Sequence, residues 1–164
     1  MILAVVGLFV LSSAALGRSP IGMGGECLVN NNYPSDVYQW CRLISTHAQN
    51  NRLDPNLVAA LIYQESGGNP FAYSTDGAIG LMQVMPRDGR AVQFMCPNGP
   101  CFEDRPTISE LQDPTFNVAY GTQLLRSLID EHRGDVREAL KAYGPIDTGY
   151  AYADNVLAIF ERYR

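Results

Sequence analysis

Residues 54–68, DPNLVAALIYQESGG, limit the fold more than any other stretch of the chain. Asp54 is suited to accept hydrogen bonds from the free amides of a first helical turn, and Pro55 is pre-set for the first helical position. Leu57, Val58, Leu61 and Ile62 then recur at helical spacing until Gly67-Gly68 ends the run. A helix this apolar belongs in a core. Glu65 stands three and four residues from Ile62 and Leu61, on the buried stripe rather than the opposite face. A carboxylate there is costly unless it is compensated, and partial desolvation raises its pKa and fits it for proton transfer. The plainer reading is a solvated glutamate at a helix end.

The same punctuation recurs. Ser35-Asp36 opens a run with Val37, Trp40, Cys41, Ile44 and Ala48 at helical spacing, predicting one helix to about Asn51. Residues 69–79 read as a polar loop turning at Asp76-Gly77, 80–84 as a short apolar turn ended by Pro86, and 87–105 as a further loop. Asp113-Pro114 opens a long helix stopping at Gly134, and Asp135 caps a short one through Ala139, Leu140 and Tyr143. After the breakers Gly144-Pro145 and Gly149, Tyr152, Val156, Ile159, Phe160 and Tyr163 make the last helix. No period-two alternation or internal repeat stands out, so the expectation is a mainly α domain.

With 164 residues, 46% of them hydrophobic, the chain can bury one core, and one domain is expected over 35–164. Ile2 to Leu11 is almost purely apolar and is followed by small residues to Gly17. Residues 1–17 therefore read as a secretory signal, shorter than the about 20 apolar residues of a membrane span. An uncleaved amphiphilic anchor is the alternative, because only the amino terminus supplies positive charge before the run. Residues 18–34, rich in Gly, Pro and Asn, read as an irregular leader tied down by Cys27.

Cys27, Cys41, Cys96 and Cys101 fit export to the periplasm or beyond the cell, where disulfides persist. Three pairings are open. The local ones, Cys27 with Cys41 and Cys96 with Cys101, are favoured because Cys96-Pro-Asn-Gly-Pro-Cys101 is rich in turn residues. Zinc is the weaker reading: there is no Cys-x-x-Cys, and His47 and His132 lie in unrelated helical segments. No metal or other cofactor is called for. A net charge of −5 with no basic run argues against nucleic acid as a partner.

Gln64-Glu65-Ser66-Gly67, then Ser74, then Gly77-Ala78-x-Gly80-Leu81-Met82-Gln83-x-Met85-Pro86 resembles the signature of the soluble, Slt-like lytic transglycosylases. Downstream, Asp113-Pro114-x-x-Asn117-Val118-x-x-Gly121, Ala142-Tyr143, and Tyr152 with Val156 resemble that family's later motifs in the same order. The resemblance implies a lysozyme-like domain with a substrate cleft between helices. It also implies cleavage of peptidoglycan glycan strands between N-acetylmuramic acid and N-acetylglucosamine, with the muramic 6-hydroxyl replacing water to leave a 1,6-anhydro end.

By the same resemblance Glu65 is the single catalytic acid and base, with Ser74, Gln83, Met85, Tyr143 and Tyr152 lining the sugar sites. All but Gln83 have a plainer reading: Ser74 bonding backbone, Met85 in the core, the tyrosines packing. Asn117 reads as structural, and Asp76 as a capping or exposed turn residue. Two departures stand out: Gly144 replaces the family's Asn after Tyr143, and Arg87-Asp88-Gly89 follows Pro86 in place of a small turn. The segment from Val92 to Arg105 reads as an insertion beside the cleft. Rival functions are a lysozyme-type or chitin-directed hydrolase on the same fold, and a non-catalytic glycan-binding or assembly module. The small size, without a separate wall-binding module, leads us to expect dependence on a partner such as a secretion or conjugation machine or another wall-associated protein.

Overall fold

The helix that follows Asp54-Pro55 is the centre of the molecule in the computed structural model, which describes residues 25–164. The apolar segment read as a secretory signal, together with residues 18–24, lies outside the described residues. Among the described residues the α-helices are α1 (Ser35–Tyr38), α2 (Cys41–Asn50), α3 (Pro55–Ser66), α4 (Ile108–Leu111), α5 (Pro114–Glu131), α6 (Val136–Tyr143) and α7 (Ala151–Tyr163). A two-stranded antiparallel hairpin, β1 (Met95–Cys96) and β2 (Gly99–Pro100), interrupts them between α3 and α4. The Asp54 carboxylate caps α3 by accepting from the Asn56 N–H at 2.8 Å, and Gly67 closes it at φ 62°. Leu57 to Ile62 are all buried, because α1, α2 and α7 pack around this helix.

The first predicted helix is two. Between α1 and α2, Trp40 leaves helical geometry (φ −88°, ψ 3°), and its indole N–H donates to the Gly68 carbonyl at 2.9 Å. Gly68 has φ 89°, and a Cβ on it would stand 2.1 Å from the Asp36 carbonyl oxygen. The end of α3 is thus in backbone contact with α1, which a side chain at residue 68 would prevent.

Residues 25–34 contain no helix or strand but are held at more points than Cys27 alone. Cys27 is bonded to Cys41, Val29 and Tyr33 are buried, and the Tyr33 hydroxyl donates to the Asn56 carbonyl at 2.7 Å. The segment read as a plain loop over 87–105 also holds a 3-10 turn (Gly89–Gln93) and the hairpin, which Cys96–Cys101 closes. Helix α4 goes beyond the helices that periodicity predicts. Its signal is nonetheless in the sequence: Thr107 and Glu110 form a reciprocal capping box, each side chain serving the other's backbone amide.

Helix α5 begins as Asp113-Pro114 predicts, with the Asp113 carboxylate accepting from the Phe116 N–H at 2.8 Å. Its residue Asn117 is fully buried and uses its whole amide. The side-chain nitrogen donates to the carbonyls of Ile79 (2.8 Å) and Leu111 (3.1 Å), and the oxygen accepts from the Met82 N–H (2.9 Å). One turn on, Gly121 leaves room for Met82, whose sulfur would be 2.5 Å from a Cβ there. The i, i+4 spacing puts both on the face of α5 that receives residues 79–82.

Replacing Asn117 with alanine leaves the buried Met82 N–H and Leu111 carbonyl unpartnered and the Ile79 carbonyl with the Val84 N–H alone, which is expected to cost about 3 kcal/mol in denaturant unfolding. A loss below about 0.5 kcal/mol, the range of ordinary surface changes, would show that the segment is held by other means.

Candidate active site

Glu65 lies in the last turn of α3, half-buried, and its carboxylate oxygen accepts from the Tyr152 hydroxyl in the first turn of α7. Burial pushes the carboxyl up from 4.5 to about 7, and the Tyr152 hydrogen bond, which favours the charged form, offsets part of that rise. No other acidic or basic side chain contributes to the shift. The phenols of Tyr152 and Tyr143 are both pushed well above their usual range, by burial first and by the charge of Glu65 second. Both therefore stay protonated and available as donors.

Tyr143, at the end of α6, does not orient the carboxyl. Its hydroxyl donates to the Met82 carbonyl at 2.8 Å, so it anchors the 79–85 segment instead. Gly144 explains its own departure from the family pattern: a Cβ there would lie 2.4 Å from ring atoms of Tyr152. An aromatic ring cannot yield that distance as a flexible chain end would. The Tyr152 ring takes the room next to α6 that an asparagine would need, and from there its hydroxyl reaches Glu65.

The 79–85 segment is tied to α3 as well. Ser66, adjacent to Glu65, donates its hydroxyl to the Leu81 carbonyl at 2.8 Å and accepts from the Gly68 N–H at 3.2 Å. The motif alone gives Ser66 no role; a serine at the last helical position before Gly-Gly is the signal that it serves the backbone. Gln83 sits at φ 45°, and its amide nitrogen donates to the carbonyls of Ala72 (3.2 Å) and Gly80 (3.0 Å), leaving its side-chain oxygen for other donors. Ser74 accepts from the amides of Gly77 (3.1 Å) and Ala78 (2.9 Å) and retains its own proton to give. Met85 is half-buried, and Asp76 is exposed in its turn. The structure thus brings Tyr152 and Tyr143 to Glu65, whereas Ser74 and Gln83 spend much of their bonding capacity on the loop. Among the described residues no group of three His, Cys, Asp or Glu side chains is arranged to hold a metal.

Solved structures share this architecture. The chain is similar to the lytic transglycosylase Slt of Pseudomonas aeruginosa, an inactive mutant (21% identity, TM-score 0.58), and to the 70 kDa soluble lytic transglycosylase of Escherichia coli (23% identity, TM-score 0.59). Each alignment covers 74% of this chain and 23% of the other. The fold is therefore mainly α and lysozyme-like. Residues 42–149 match the model of the transglycosylase SLT domain, and the chain belongs to that family.

Among curated relatives, it is 37% identical to a transglycosylase of Enterobacteria phage PRD1 over 66% of this chain and 36% of the relative. It is 39% identical to the membrane-bound lytic murein transglycosylase E of Buchnera aphidicola over 54% of this chain and 39% of the relative. It is 34% identical to the membrane-bound lytic murein transglycosylase C of Actinobacillus pleuropneumoniae over 75% of this chain and 33% of the relative. The chain thus spans about a third of the length of the curated relatives it matches.

The raised Glu65 pKa has a consequence for stability. Between 4.5 and about 7 the folded protein holds a proton that the unfolded chain has released, so stability falls as pH rises through this window. Glu65→Gln removes the dependence. Its stability relative to the parent is expected to improve by up to about 3 kcal/mol between pH 4 and pH 8 in parallel denaturant titrations. A pH-independent difference would mean that Glu65 ionises normally.

Proposed function

We propose that the chain is a peptidoglycan lytic transglycosylase in which Glu65 acts alone as acid and then base. The observation that carries this reading is a carboxyl poised near neutrality by burial, bonded to Tyr152, with no second carboxylate influencing it. Most glycosidases need a pair of carboxyl groups, and substrate-assisted enzymes are the exception. Glu65 first gives its proton to the glycosidic oxygen as the bond to the muramic C1 breaks, and the substrate's own acetamido oxygen stabilises the electron-poor carbon. The resulting carboxylate then removes the proton of the muramic 6-hydroxyl, whose oxygen bonds to C1, closing the 1,6-anhydro ring and restoring the acid. Tyr152 stabilises the carboxylate between the two steps. Ser74 and Gln83, with a free hydroxyl proton and a free amide oxygen, fit contacts to the sugar.

The names of the lytic murein transglycosylase relatives support this substrate. The two disulfides and the apolar amino-terminal run support action outside the cytoplasm, in the periplasm or extracellularly.

Mass spectrometry of peptidoglycan digested by the purified protein is expected to show anhydro-terminated fragments. Reducing ends in their place would establish a hydrolase. Glu65→Gln is expected to abolish cleavage with the fold retained; an unaltered biological role in that variant would favour a non-catalytic glycan-binding module. Activity should fall as pH rises above about 7, since the acid is then ionised. Tyr152→Phe removes the bond that favours the carboxylate, so the falling limb should move to higher pH while the maximal rate drops roughly tenfold. A limb left in place would exclude Tyr152 from tuning Glu65.

A further inference from the structure

Of the Arg and Lys side chains among the described residues that lack an ion pair, Arg105 alone is drawn in from the surface. It stands at the foot of the disulfide hairpin, with its guanidinium 5.9 Å from the ring centre of Phe102 and 6.0 Å from that of Tyr120 on α5. Its charge acts on the Tyr143 phenol, as does that of Glu65, so Tyr143 is the shared neighbour of the two charged groups. Glu103 and Asp104 are next to it in sequence but are exposed and form no salt bridge with it. With Arg105 and Asn98 they line an open depression of about 340 Å³ on the hairpin.

Its position is fixed rather than loose. Cys96–Cys101 closes the hairpin, the Cys101 N–H donates to the Phe94 carbonyl at 2.9 Å, and Phe94 meets Phe102 edge-on at 5.9 Å. The Arg87 N–H donates to the Pro106 carbonyl at 2.9 Å and cinches the base of the loop. A half-buried cation without a counter-ion is costly, and a planar guanidinium held in place on aromatic rings is pre-organised for a carboxylate.

We propose that Arg105, held by the disulfide hairpin between Phe102 and Tyr120, is a specificity-determining residue that binds a carboxylate carried on the muramyl residues of the glycan strand. The carboxylate is one belonging to the stem peptide or, on residues whose peptide has been removed, that of the lactyl ether. The proposal rests on peptidoglycan being the substrate. It gives the inserted hairpin a role in substrate choice, because an unsubstituted N-acetylglucosamine polymer is neutral and offers Arg105 nothing.

The test is calorimetric binding in the Glu65→Gln background, which leaves the strands uncut. Three probes are compared: peptide-bearing glycan strands, strands stripped of peptide by an amidase, and chitohexaose. Adding Arg105→Ala is expected to weaken binding about tenfold for at least one of the two carboxylate-bearing probes, and to leave chitohexaose unchanged. Loss confined to peptide-bearing strands assigns a stem carboxylate, loss confined to stripped strands assigns the lactyl carboxylate, which is free only once the peptide amide is cut, and loss on both means that Arg105 takes either. Arg105→Lys, which keeps the charge but not the planar fork, should recover part of the affinity. Unchanged binding to all three probes, or an equal loss on all three, overturns the proposal. If the Glu65→Gln protein binds none of the three, the peptidoglycan substrate itself is wrong and this inference falls with it.

Discussion

The buried amide of Asn117 holds the site together from behind. Residues 79–82 belong to no helix and pair only through isolated bridges, so their backbone groups need partners from elsewhere. Asn117 supplies a donor to Ile79 and an acceptor for Met82 from one rigid position on α5. Ser66 on α3 and Tyr143 on α6 complete the attachment through Leu81 and the Met82 carbonyl. Three helices therefore fix one short irregular segment against the end of α3 that carries Glu65. That arrangement holds the loop without the spread of conformations that loops usually have.

Against this fixed wall, the electrostatics of Glu65 depend on what its surroundings omit. Burial raises its pKa, and no cation lowers it; the single opposing influence is the Tyr152 hydrogen bond. A neutral donor moderates the shift without reversing it, which leaves the carboxyl close to half-protonated at neutral pH. Under the proposed mechanism, a group asked to give and then take a proton is best placed there. Gly144 belongs to the same device, because Tyr152 reaches Glu65 only by lying where a side chain at residue 144 would be.

Much of this is legible in the chain. Asp54-Pro55, Asp113-Pro114 and Asp135 mark helix starts that the structure shows, because capping is local chemistry between neighbours in sequence. The placement of Glu65 on an apolar stripe follows from helical spacing alone. The division of the first helix does not, since it depends on Trp40 meeting Gly68, 28 residues away. Helix α4 escapes a reading by periodicity although its Thr107–Glu110 box is a sequence signal, because a four-residue helix carries too little apolar pattern to stand out. The acceptor of the Tyr143 phenol is not legible in the sequence either. Proximity to an acid does not say which acceptor a phenol chooses, and the Met82 carbonyl takes its proton. Nothing local distinguishes Arg105 from the exposed arginines; only the approach of its guanidinium to Tyr120 on α5 does.

The proposed chemistry turns on the ionisation of Glu65. The most direct measurement is a carbon-13 NMR titration of the glutamate side-chain carboxyls, with the Glu65 resonance assigned by its loss in Glu65→Gln. The burial of the carboxyl predicts a midpoint raised to about 7. A midpoint near 4.5, the ordinary glutamate value, would leave the site without an acid at neutral pH and contradict the account.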